Sequence, residues 1–141
     1  MEVSFIRNKD EARELWAVAA PLLERCVRHS VRGEYSVDDI RAMVEEQAAV
    51  VVLVSEDKGA PPVLAVAAEV VPYVSGLVVG NIMALGGWRL RDAYPLFKPL
   101  CEYLRRCGCT VVECSCSPAM ERFLKQLGPW KESYRVLRLE I

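Results

Sequence analysis

An apolar run over residues 77–85 gives way through Gly86 and Gly87 to Trp88, Arg89, Leu90, Arg91 and Asp92, and then to a segment of helical periodicity. A strand that passes through glycines into a helix can hold a phosphate, because glycine permits close backbone approach and the first helical N–H groups point at the anion. Arg89 and Arg91 add two guanidiniums able to clamp a phosphate by themselves. Against this, Asp92 places a carboxylate where an anion is repelled, and Pro95 and Pro99 each delete a backbone donor near the helix start. The plainer alternative is a solvated loop in which the glycines only form a turn.

Glu69 is the other residue with a chemical reading. It interrupts the apolar run 63–71, so its carboxylate faces either a cleft, where it can serve as a general base, or solvent. Solvent is the simpler expectation, since carboxylates are rarely buried without partners, and Glu113 beside Val111, Val112 and Cys114 reads the same way. His29, the only histidine, follows a helical stripe and precedes a turn, which suits a surface or capping role. The six cysteines are Cys26, Cys101, Cys107, Cys109, Cys114 and Cys116, and neither Cys107-Gly-Cys109 nor Cys114-Ser-Cys116 has the two-residue spacing of a zinc knuckle. They read as small buried apolar residues in a reducing compartment, with no metal expected and a cysteine-based redox or metal module as the remote alternative. Trp16, Trp88 and Trp130 suit core or rim packing, and Trp88 between the glycines and arginines also suits a ligand or partner surface.

The elements that must position these residues follow from hydrophobic spacing. A short strand at residues 3–7 leads through Asn8 and Asp10, both helix-start residues, into a helix with Leu15, Val18, Leu22 and Cys26 as its core stripe; Pro21 predicts a kink or a two-piece helix. Ser36-Val37-Asp38-Asp39 is a capping box with Asp in place of Glu, opening a second helix through Ile40, Met43, Val44 and Gln47. Residues 48–54 form an unbroken apolar run suited to a strand covered on both faces; a turn at 57–62 and a strand at 63–71 make a meander with the strand at 77–85. Leu96, Leu100 and Leu104 mark a third helix ending at Gly108, residues 110–114 a further strand, and Ser117-Pro118 the start of a fourth helix ending at Gly128. Residues 130–141 alternate and are expected to close the chain as a strand or bent pair.

The 141 residues fit one domain, 1–141, with an apolar share of 52% and a formal net charge of -1. That balance offers no general attraction to polyanions, so nucleic acid is not an expected partner. Glu2, Arg7, Lys9, Asp10, Glu11, Arg13 and Glu14 rule an apolar signal segment out of the first sixteen residues, and no apolar run reaches spanning length, so a cytoplasmic protein without a membrane partner is expected.

In element order, β-α-α-β-β-β-α-β-α-β, and in the stretch from Ser117 to Trp130, the sequence resembles the GNAT (Gcn5-related N-acetyltransferase) superfamily over nearly its whole length. It is also similar in style to small acetyltransferase-like proteins of phages and prophages. The resemblance implies an α/β (α+β) fold with a mixed, mostly antiparallel sheet flanked by helices. It also implies acetyl-CoA bound where the fourth strand meets the third helix, on a loop of the type Arg/Gln-x-x-Gly-x-Gly/Ala. Here that segment runs from Leu85 to Asp92 and departs from the pattern, with Gly86 and Gly87 early and Trp88 and Leu90 where small residues would admit phosphate. Members also carry a helix-four tyrosine that protonates the departing thiolate; Leu124 stands there in Phe123-Leu124-Lys125-Gln126-Leu127-Gly128, and Tyr103 or Tyr134 would have to substitute. The favoured expectation is a degenerate or atypical coenzyme site serving a binding, regulatory or structural role with a protein partner. The alternative is an active N-acetyltransferase with Arg89 and Arg91 on the pyrophosphate, backbone near Met83 and Leu85 pairing the pantetheine arm, and Glu69 orienting a base water. Residues 130–141 are the expected route to a homodimer, since a terminal strand leaves an edge available.

Overall fold

A computed structural model describes residues 1–30, 32–88 and 94–141. Its elements run β1 (Glu2–Ile6), α1 (Lys9–Ser30), α2 (Val37–Glu45), β2 (Ala49–Ser55), β3 (Pro62–Pro72), β4 (Val78–Gly87), α3 (Tyr94–Arg106), β5 (Val111–Cys114) and α4 (Pro118–Leu127). The strands lie in the order β1-β2-β3-β4-β5, antiparallel through β4, with β5 parallel to β4. This is the mixed, largely antiparallel α+β sheet that the element order predicts.

Local chemistry sets the helix starts. The Asn8 side-chain oxygen accepts the Glu11 N–H at 2.9 Å, and the Glu11 carboxylate returns to Arg7 at 2.8 Å. Ser36 and Asp39 form the expected capping box, each side chain accepting the other residue's backbone N–H. Ser117 Oγ accepts the Met120 N–H at 3.2 Å, and Pro118 follows as the first helical residue, where its missing donor is harmless.

The core face of α1 differs in part from its expected stripe. Leu22 and Cys26 are buried with Ala12, Trp16, Ala19 and Leu23, whereas Val18 is 51% exposed. The helix also runs through Pro21 as one element, because Pro21 sits on the exposed side, where the carbonyl that loses its partner can turn to water.

One sheet separates two cores. Val51, Leu53, Ala65 and Ala67 pack toward α1 and α2, and Val50, Val52, Leu64 and Val66 pack toward α3 and α4 through Leu96, Leu100, Leu104 and Leu124. The unbroken apolar run of β2 follows from this: alternate side chains enter opposite layers, and both are sealed.

Two further expectations fail. Strand β4 does not stop at Leu85 but continues through the glycine pair, with Gly86 opposite Ala65 and Gly87 opposite Leu64. Residues 129–141 form no strand; Leu137, Leu139 and Ile141 alternate as a strand's apolar face would, yet are 93%, 85% and 117% exposed, because no backbone ladder holds the segment. Among the described residues, no helix is long and apolar enough to cross a membrane.

Candidate functional site

Strands β4 and β5 pair only from Val79–Val111 to Ile82–Cys114. Beyond that point β4 continues from Met83 to Gly87, while β5 turns through residues 115–117 into α4, so the two backbones part and a wedge opens. A bulge sits at its vertex: Ala67 faces Ala84 and Ala68 faces Ile82, which leaves Met83 as the extra residue and turns both Met83 and Ala84 toward the α1 layer. The wedge floor is lined by Met83, Ala84, Leu85 and Cys114. It widens to a cleft of about 340 Å³ bounded by Arg25, His29, Gly86, Gly87, Met120 and Phe123.

The glycines of the wedge wall are fixed by packing. Gly87 has φ +147°, and a Cβ there would stand 2.1 Å from the Val63 carbonyl oxygen. A Cβ on Gly86 would meet Cys26 Sγ at 3.3 Å, so this glycine lets α1 lie close over β4. Trp88, just past the strand, is 68% exposed and carries the Arg25 guanidinium 3.9 Å above its ring. Arg89 and Arg91 lie outside the described residues.

Glu69 is not a solvated strand residue. It is half-buried on β3, and its Oε1 accepts both the Tyr35 hydroxyl at 2.8 Å and the Asn81 side-chain amide at 2.9 Å. Burial, and then the hydrogen bond to Glu69, push the Tyr35 phenol up to about 12, so it stays a donor at physiological pH. Register places Glu69, Asn81 and Glu113 in one row across β3, β4 and β5, on the α1/α2 side of the sheet and one residue short of the wedge vertex.

The remaining candidates separate cleanly. His29 is exposed in the last turn of α1, as a surface role requires, and it also lines the cleft. Leu124 is 2% exposed and packs into the α3/α4 core, so the helix-four position turns away from the wedge and Phe123 faces the cleft in its place. Tyr103 packs against Phe5 in a tilted pair with ring centroids 6.0 Å apart, in the α3 layer, and Tyr134 lies exposed beyond α4, so neither lines the wedge. Burial pushes the Cys26 thiol up to about 12, and burial with the neighbouring Cys116 does the same to Cys114, which keeps both protonated and poorly nucleophilic. Among the described residues, no group of three His, Cys, Asp or Glu side chains is placed to hold a metal ion. Sequence reasoning missed Arg25 and Tyr35, whose roles depend on Trp88 and Glu69 and carry no local motif.

No family model matches the sequence, and no curated protein matches it. Solved structures do match over nearly the full length. A probable acetyltransferase aligns with TM-score 0.75 at 14% identity, covering 100% of this chain and 98% of the other. An aminoglycoside acetyltransferase from an uncultured soil metagenomic sample, in complex with sisomicin, aligns with TM-score 0.73 at 11% identity, covering 99% and 95%. The ribosomal-protein-alanine N-acetyltransferase from Brucella melitensis biovar Abortus 2308 aligns with TM-score 0.65 at 15% identity, covering 99% and 100%. The chain therefore has the GNAT acetyltransferase fold.

Proposed function

We propose that this protein is an acyl-CoA-dependent N-acyltransferase, with acetyl-CoA as donor and an amine as acceptor, working in the wedge between β4 and β5. The observation that carries this reading is the Glu69 carboxylate, held by Tyr35 and Asn81 one residue from the point where β4 and β5 part. A merely solvated carboxylate has no need of a tyrosine from the α1–α2 connection and an amide from the next strand.

The lining fits such a coenzyme. Met83, Ala84, Leu85 and Met120 make an apolar slot for a pantetheine arm, and beyond Ile82 the edge of β4 that β5 no longer covers can pair with its amides as an added strand would. At the wider mouth Arg25 brings a guanidinium and His29 an imidazole to the cleft wall, where the phosphates would lie. Gly86 and Gly87 act by flattening the wall, since their positions answer to Cys26 and Val63. Bound acetyl-CoA would supply the acyl group as a thioester. This chain's part is to orient the amine and accept its proton: Asn81 and Tyr35 fix Glu69 Oε1, and the carboxylate takes the proton directly or through one water. Purified protein with acetyl-CoA and a panel of primary amines should release free CoA thiol in an amine-dependent manner; release independent of any amine, or none, would refute the reading.

A second reading, a non-catalytic protein that uses the fold to bind a protein partner, is favoured by Leu124. Being an apolar, buried leucine, it offers no hydroxyl at the helix-four position to protonate a leaving thiolate. Coenzyme binding separates the two readings.

A further inference from the structure

Two Cys-x-Cys pairs bracket β5, Cys107-Gly108-Cys109 before it and Cys114-Ser115-Cys116 after it, and the acyl transfer proposed for the wedge uses neither. Identical spacing hides different geometry. Gly108 has φ +94° in the turn that ends α3, and its two neighbours part: Cys109 is buried in the α3/α4 core, while Cys107 is exposed and hydrogen-bonds with Tyr103. At the other end no residue has a positive φ, Ser117 is extended at φ -69° and ψ 161°, and Cys114 and Cys116 both line the wedge floor. Each of these two thiols lies within hydrogen-bonding reach of the other. Residues two apart in extended chain share a face with their Cα atoms roughly 6.5 Å apart, inside the range of roughly 4.4–6.8 Å that a disulfide spans.

We propose that Cys114 and Cys116 form a dithiol site that reduces low-molecular-weight disulfides at the wedge floor and is itself converted to an intramolecular disulfide. Exposure sets the order of events. Cys116 is exposed and meets the incoming disulfide first, whereas Cys114 is half-buried and serves to resolve. The Cys116 thiolate attacks one sulfur of R–S–S–R; that bond breaks, a mixed disulfide forms on Cys116, and one thiolate leaves. Cys114 then attacks the Cys116 sulfur, the Cys114–Cys116 bond forms, and the second thiolate leaves. Both cysteine sulfurs are oxidised, the incoming disulfide is reduced, and the two thiol protons end on the two released thiols. Burial raises both cysteines, but the hydrogen bond from Cys114 works against that rise at Cys116, which agrees with Cys116 as the attacking sulfur.

Position gives the reaction a consequence for the wedge. Cys114 is the last β5 residue paired to β4, opposite Ile82, and so stands at the vertex where the apolar slot opens. A Cys114–Cys116 bond ties the β5–α4 connection across the floor of that slot, beside Met83 and Met120, and narrows the space a pantetheine arm would fill. This consequence rests on the coenzyme site proposed above; the dithiol chemistry does not.

Peptide mass mapping of the reduced wild type after exposure to excess glutathione disulfide, with alkylation of the remaining thiols, tests this directly. The peptide holding Cys114 and Cys116 should lose two hydrogens, resist alkylation and recover with dithiothreitol, while Cys107 stops at a mixed disulfide with glutathione and Cys109 stays a thiol. Cys114→Ser should arrest the reaction at the mixed disulfide on Cys116, and Cys116→Ser should leave Cys114 unmodified. A mixed disulfide on Cys116 that never resolves in wild type, modification of Cys114 ahead of Cys116, or a Cys107–Cys109 disulfide formed as readily would each overturn the proposal. Calorimetry with acetyl-CoA on the reduced and oxidised forms then reads the consequence, with affinity expected to fall about tenfold or more on oxidation. Equal binding by both forms would overturn the narrowing of the slot. Disulfide formation with no binding by either form would overturn the coenzyme site, and the narrowing with it, and leave the dithiol chemistry standing.

Discussion

The two walls that meet at β4 make an instructive pair. At its end, Gly86 and Gly87 carry the sequence's clearest suggestion of ligand chemistry, yet their positions are dictated by neighbours within the protein, the Val63 carbonyl and the Cys26 side chain. In its first half, Asn81 faces Glu69, a residue that reads as ordinary strand surface, and there the structure gathers three polar side chains from β3, β4 and the α1–α2 connection. A residue type that suggests chemistry locally can be spent on packing, while a site is made by side chains that converge from distant parts of the chain.

That contrast breaks most visibly at Glu69. Glu69→Gln keeps the size and can keep a bond to Asn81 but removes the base, so amine acetylation should fall by about 10²–10⁴-fold in kcat with coenzyme affinity unchanged, as read by steady-state kinetics. The glycines should show the opposite profile. Gly87→Ala should destabilise the fold by about 2–4 kcal/mol in urea unfolding, because backbone strain and a clash with β3 coincide there. Gly86→Ala should lose less than about 1 kcal/mol, since Cys26 Sγ need yield only a few tenths of an ångström. If the two alanine variants proved equally stable but failed to bind coenzyme, the packing account of this wall would be wrong.

Alkaline pH probes both walls together. The Cys26 thiol is raised from 9.0 to about 12 by burial, and the Tyr35 phenol from 10.0 to about 12 by burial and Glu69. Each holds its proton longer in the folded state than in the unfolded one, so their contribution is whole below pH 9 and is lost as pH rises from 9 toward 12. The thermal midpoint should fall across that window, and Cys26→Ala should make the fall shallower while lowering the plateau. Tyr35→Phe removes one of two bonds to Glu69 and should cost about 1 kcal/mol of stability together with a lower kcat at unchanged coenzyme affinity.

Much of the scaffold was legible because its signals are local. The Ser36–Asp39 box, the Ser117-Pro118 start and the Leu96, Leu100, Leu104 stripe each lie within a few turns of chain, and all formed as expected. Misreadings came where a distant partner decides the outcome. Val18 has the right type and spacing for the core but points outward because Trp16 and Ala19 take the facing positions, and residues 130–141 alternate like a strand with no ladder to join. The Tyr35–Glu69 bond spans 34 residues and the Asn81–Glu69 bond 12, separations over which no spacing rule operates. The wedge itself arises from a bulge at Ala67–Ala68 and from the early turn of β5, neither of which leaves a mark in composition.

The most direct test of the proposed function is calorimetric titration of the reduced protein with acetyl-CoA at low ionic strength, run in parallel on wild type and Glu69→Gln. The account predicts saturable binding at micromolar strength that is equal for the two proteins, because the carboxylate serves the acceptor amine and not the coenzyme. Absence of heat and of thermal stabilisation at millimolar acetyl-CoA would contradict it and leave the fold to a non-catalytic role.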